Sequence, residues 1–125
     1  MKSPWKSFEQ LQPDREYLVL ASWIPPKSIA STRRLFQGSR VVRSQLASTE
    51  GVIGYSMLAR PVRKQYATLS VWRDEEALSA FARSQPHGEL MSDLAPEMGD
   101  TRFERWTIPG RDGRPSWRQA LQRLR

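Results

Sequence analysis

"GVIGYSMLARPVRKQYATLSVWRDEEALSAFARS", residues 51–84, places two β-rich runs in tandem and follows them at once with an acidic helix start. The runs at 51–61 and 64–72 are dense in β-branched and aromatic residues, and the short Pro- and Arg-containing turn between them reads as a hairpin. Asp74 stands where an N-cap belongs. Glu75 and Glu76 occupy the first turn, where the helix dipole favours negative charge, and a helix over "EEALSAFARS" follows.

The flanks complete the pattern. Upstream, "EYLVLASWI" (16–24) is a strand that Pro25 and Pro26 stop, because proline cannot donate to a β-ladder. Next comes a helix over 28–46, with Ser28 as N-cap, a stripe of Ile29, Leu35 or Phe36, Val42 and Leu46, and arginines on its outer face. Gly38 inside it costs about 1 kcal/mol relative to alanine, so a packing contact or a kink is expected there. Downstream, Pro86 restarts a helix over "HGELMSDLAPEM", and "TRFERWTI" (101–108) is a fourth strand. After the turn-rich "PGRDGRP", Ser116 and Gln119 form a capping box that opens a last helix.

The order β-α-β-β-α-β with a helical tail describes an α+β, ferredoxin-like fold with an antiparallel sheet. At 125 residues the length suits a single domain over 1–125, with an N-terminal arm at 1–15 and a C-terminal turn and helix at 109–125. Both parities of the strands are apolar: Tyr17, Val19 and Trp23 alternate with Leu18, Leu20 and Ile24, and the hairpin repeats the pattern. Two helices cover one face only. The expected cover for the other is a second copy, giving a homodimer whose sheets pack face to face as a dimeric α/β barrel.

Composition narrows the chemistry. The chain has no cysteine and one histidine, which excludes disulfides, thiolate nucleophiles and any self-contained multi-histidine metal site. No apolar run approaches the roughly 20 residues needed to span a bilayer, and "MKSPWKSFEQLQPDREY" does not resemble a signal peptide, so a cytoplasmic protein without membrane partners is expected. Net charge is +7, and it is unevenly spread: residues 27–64 carry Glu50 as their only acid, whereas acids outnumber cations from 74 to 104. A basic helix at 28–46 raises the question of RNA, but it lacks the interleaved aromatics that stack bases. Nucleic acid is therefore the weakest of the partner readings.

The segment "ATLSVWRDEEALSAFARSQPHGELM" has a strand ending in Ser-x-Trp, an acidic helix start, an Ala-Phe pair and a His-x-x-x-Met. It resembles the antibiotic biosynthesis monooxygenase-like proteins of the dimeric α/β-barrel superfamily. The tail "RWTIPGRDGRPSWRQALQRLR" is similar to the end of an uncharacterised bacterial branch of that superfamily, and the middle also resembles spheroidene monooxygenase-like proteins. The resemblance implies an oxidoreductase acting on a flat aromatic or polyketide-like compound in an apolar pocket, with no cofactor or with haem. Haem degraders of the family use an asparagine on the first strand, a tryptophan on the helix after the third and a histidine about ten residues on. Here the asparagine is missing, Phe81 stands at the tryptophan position and Met91 at the histidine position, so haem would require a different pose with His87 as iron ligand.

His87 is the candidate acid/base or ligand residue. It follows Pro86 in the first turn of a helix, where the dipole favours the neutral ring, and it shares a stripe with Leu90, Met91 and Leu94. It reads either as an interior residue or as a base or iron ligand, and no other metal ligand is expected. Trp23 and Trp72 end strands beside that helix start, and with Tyr55, Phe81 and Met91 they are the candidate ligand-binding residues. Trp5 and Trp117 read as staples for the two terminal segments, while Trp106 fits core or pocket equally. A ligand-binding module without turnover is the alternative function. Asp74, Glu75 and Glu76 read as capping and dipole residues, and no nucleophile–base–orienter set can be built.

Overall fold

Alternation of apolar side chains along four runs produces a twisted antiparallel sheet, and a short fifth strand from the arm completes it. The computed structural model describes residues 1–125. The strands are β1 (Lys6–Ser7), β2 (Glu16–Trp23), β3 (Val52–Arg60), β4 (Gln65–Trp72) and β5 (Arg102–Pro109), and their spatial order is β1-β3-β4-β2-β5. Every neighbouring pair is antiparallel. The helices are α1 (Ile29–Ala47), α2 (Glu75–Arg83), α3 (His87–Leu94) and α4 (Trp117–Arg123). The α+β, ferredoxin-like arrangement is the one the element order implies, and no helix is long and apolar enough to cross a membrane.

The helix starts follow local chemistry. Ser28 Oγ accepts a hydrogen bond from the Ser31 amide at 3.0 Å, Asp74 Oδ1 from the Ala77 amide at 2.8 Å, and Ser116 Oγ from the Gln119 amide at 3.1 Å. Each satisfies an amide that the first turn leaves without a helical partner, a contribution of about 1 kcal/mol. Gly38 marks a packing contact rather than a kink: a Cβ there would stand 3.3 Å from Leu90 Cδ2, so α3 lies close against α1. Ile29, expected on the apolar stripe, is 62% exposed, because the stripe begins a turn later at Thr32 and Leu35.

The sheet has two covered faces. Towards α1, α2 and α3 it presents Leu18, Val52 and Trp72, which pack with Leu46, Leu78 and Phe81, and beside them Ile24, Met57 and Tyr66 pack with Leu35, Leu94 and Met98. Its outer face carries Tyr17, Val19, Ala21, Leu69, Val71 and Trp106. That face is covered by the chain itself: Ala120 of α4 and Leu124, just after its last residue, belong to the same cluster, and Trp5, Leu11 and Trp117 pack against it. Val19, Ala21 and Val71 have no exposed surface left. The two terminal segments thus pack in cis on the face for which a second copy was expected.

Specific contacts hold those segments. Trp117 Nε1 donates to Ser56 Oγ at 3.0 Å, and Ser56 Oγ donates to the Ser3 carbonyl at 2.8 Å, so α4, β3 and the arm meet at one hydroxyl. Gly54 allows the close approach of Trp5: a Cβ there would lie 2.6 Å from the indole Nε1. Trp5 and Trp117 thus act as staples, and Trp106 is a core residue, with the Arg123 guanidinium 4.4 Å from its ring centroid. Cation–π contact of this kind contributes about 0.5–1 kcal/mol at a partly exposed site.

Candidate functional site

Helices α1, α2 and α3 do not close completely on the sheet. Between them and its inner face lies a cavity of about 510 Å³, within the range of small-molecule sites. Its floor is made where small polar residues replace the usual aliphatic ones. Ser22 and Thr68 are cross-strand partners whose hydroxyls are hydrogen-bonded, and Ser70 Oγ accepts a hydrogen bond from Trp72 Nε1 at 2.8 Å.

One wall is a ladder of rings. Trp72 and Phe81 have centroids 5.1 Å apart at 42°, and Phe81 and His87 are 4.9 Å apart at 45°, both inside the range of favourable tilted contacts. The ladder exists because β4 ends at Trp72, the Asp74 cap turns the chain into α2, and Phe81 sits on the buried side of that helix. His87 is fixed from two directions. Its amide donates to Gln45 Oε1 of α1 at 3.0 Å, and its Nδ1 lies 3.1 Å from the Ala82 carbonyl. A carbonyl only accepts, so the hydrogen is assigned to Nδ1, and Nε2 is the ring nitrogen with a free lone pair. That nitrogen is chemically competent to take a proton or bind iron.

The cavity brings together Tyr55, Trp72, Phe81, His87 and Met91, five of the six residues expected at a site. Trp23 is not among them. It pairs with Ala67 on β4 and has the parity of Val19 and Ala21, so it points to the outer face and packs under the terminal segments. Position near a strand end suggested the pocket, whereas parity decides the side.

The cavity also contains residues that sequence reasoning missed. Ser22, Thr68 and Ser70 share the inner parity of β2 and β4, and that parity, applied to polar residues, is the signal that reveals them. Phe103 and Arg105 on β5 and Arg83 at the end of α2 also line it, but they meet only through tertiary structure. Tyr66, just beyond Met57, donates its hydroxyl to Met57 Sδ at 2.9 Å. Burial pushes this phenol's pKa up, partly offset by the Ser39 hydrogen bond and the Arg43 charge. No group of three or more histidine, cysteine or acidic residues is placed to hold a metal ion.

No curated protein matches the sequence. Solved structures do match. A conserved protein from Methanosarcina mazei has a TM-score of 0.66 at 14% identity, covering 75% of this chain and 94% of that one. A candidate antibiotic biosynthesis monooxygenase from Caulobacter crescentus has a TM-score of 0.65 at 12% identity, covering 74% and 90%. SnoaB, a cofactor-independent oxygenase from Streptomyces nogalater, has a TM-score of 0.54 at 14% identity, covering 74% and 92%. At such identities the likeness shows a shared fold and nothing about chemistry. The sequence itself goes further: with residues 38–125 matching the model of that family, the chain belongs to the family described as a domain of unknown function, DUF3291.

Proposed function

We propose that the protein is a small monooxygenase-like enzyme that takes a flat aromatic or polyketide-like compound into the cavity between sheet and helices. The observation that carries this reading is His87, whose Nδ1 is held by the Ala82 carbonyl and whose ring extends the Trp72–Phe81 ladder in an apolar cavity. In this reading Nε2 withdraws a proton from the bound compound, and the resulting carbanion or phenolate reacts with oxygen without a cofactor. The chain supplies a base, orientation and exclusion of water. Ser22, Thr68 and Ser70 offer hydroxyls for the oxygen substituents of the ring system.

Oxygen uptake with anthrone and quinol substrates tests it. Wild-type protein should consume oxygen and His87→Ala should lose at least about a hundredfold, the usual contribution of a general base. Equal rates in both proteins refute the role of His87.

The free Nε2 favours a second reading, a haem- or ligand-binding module without turnover. One imidazole, apolar walls and arginines suited to propionates form a donor set that fits haem, with His87 as the iron ligand. Hemin titration should then give a Soret shift that His87→Ala abolishes, and an unchanged spectrum removes the reading. RNA binding through α1 gains no support: Arg34 is already paired with Glu97, and no exposed aromatic lies between the arginines. A cytoplasmic location and a homodimer remain part of the proposal. Sedimentation equilibrium decides the assembly.

A further inference from the structure

The charged side chains that line the cavity are of one sign, although the elements at its opening carry both. Of its lining residues, Ala82, Arg83, Phe103 and Arg105 are exposed, so the cavity opens between the end of α2 and β5. These two elements carry both signs, with Glu75, Glu76 and Arg83 on α2 and Arg102, Glu104 and Arg105 on β5. Yet none of the 20 lining residues is acidic, and Arg83, Arg105 and His87 are all among them. Strand parity sorts β5: Phe103 and Arg105 take the inner face while Glu104, opposite Ala21, takes the outer. Glu75 and Glu76 line a separate surface cleft, which Arg83 borders as well as the cavity. Arg105 is ion-paired with Glu75, and Arg83 has no carboxylate within ion-pair distance.

We propose that the ligand of this cavity is an aromatic carboxylate, its rings against Trp72 and Phe81 and its carboxylate held at the opening by Arg83 and Arg105. The inference rests on the reading of the cavity as the binding site and adds the chemical class of its occupant. Keeping the charge at the opening avoids the cost of burying an ion among apolar side chains, while the rings gain from leaving water. Arginine suits a carboxylate because its planar fork donates two parallel hydrogen bonds. Glu75 then acts as a placeholder. Arg105 is half exposed, its pair with Glu75 is screened, and exchange of one carboxylate for another costs little.

The test uses the full chain and a matched pair of probes, anthracene carboxylate and anthracene carboxamide, titrated by calorimetry. The carboxylate should bind about tenfold more tightly than the amide, a difference of ~1.4 kcal/mol, and the advantage should shrink as salt rises. Arg83→Gln and Arg105→Gln should each cut that preference several-fold, weakening the carboxylate more than the amide. Glu75→Gln, which frees Arg105, should tighten the carboxylate about two- to threefold. All three substitutions are on exposed side chains, and unchanged melting curves will confirm intact folding. Equal affinity for acid and amide, or a preference that the arginine variants leave untouched, overturns the inference while the cavity reading stands. Binding of neither probe overturns both.

Discussion

If α4 seals the outer face of the sheet, truncating its last buried side chain must cost what a core residue costs. Leu124 is 3% exposed and belongs to the cluster containing Tyr17, Val19 and Trp106. Leu→Ala changes in well-packed cores cost about 2–5 kcal/mol, the spread reflecting how far the surroundings relax into the cavity. Leu124 follows the last helical residue, where the chain end has freedom to close over the void, so Leu124→Ala is expected in the lower half, about 2–3 kcal/mol. Against a total of about 5–15 kcal/mol that is a large fraction. It corresponds to a melting temperature lower by about 10 °C for a chain of this size. Urea unfolding followed by circular dichroism gives the number, with the denaturant slope expected to stay constant. Val62→Ala is the control: Val62 is 91% exposed in the hairpin turn, and its truncation should change stability by less than about 0.5 kcal/mol. A Leu124→Ala protein as stable as the control refutes the covering role of α4. The outer face would then be open to a second chain.

Other substitutions probe single contacts. Gly38→Ala should stabilise by about 0.5 kcal/mol in the same unfolding assay, because the helix gains propensity and the half-buried Leu90 side chain yields the few tenths of an ångström required. Gly54→Ala should instead destabilise by about 1–3 kcal/mol, since the new methyl displaces the Trp5 indole from its seat, and tryptophan fluorescence will report the shift. Asp74→Ala should cost about 1 kcal/mol through loss of the α2 cap. Tyr66 predicts a pH dependence. Its folded pKa lies above the ordinary 10.0, so its stabilising effect is whole below pH 10.0 and is lost as pH rises through the folded value. The loss should be smaller in Tyr66→Phe, measured as unfolding free energy against pH, and identical profiles would exclude Tyr66 as its source.

Strands, helix starts and the inner face were legible because each rests on short-range chemistry. Ser28, Asp74 and Ser116 announce helices by what their side chains accept, and the alternation in β2 and β4 declares two buried faces. The cover of the outer face was the harder inference. Trp117 reads as a staple for the tail, but five arginines between 111 and 125 hide which face of the sheet the segment covers. The arm hides its contribution in the same way, with Trp5 and Leu11 isolated among polar residues. Residue type and nearness to the strand ends point to Tyr55, Trp72, Phe81, His87 and Met91, which line the cavity, and by the same reasoning to Trp23, which does not. Arg83 and Arg105 are separated by 22 positions, and only the packing of α2 over the sheet beside β5 brings them to one opening.

The way the outer face is closed has a consequence for biosynthesis. In the order of translation α4 comes after every strand it covers, so a sheet that forms on the ribosome exposes Val19, Ala21, Leu69 and Val71 until α4 has left the exit tunnel. Bare apolar sheet of that kind is a target for aggregation and for chaperones. Chaperone demand should therefore peak in the interval between emergence of β5 and emergence of α4, and a stalled chain ending near Pro109 should be the species most prone to precipitate.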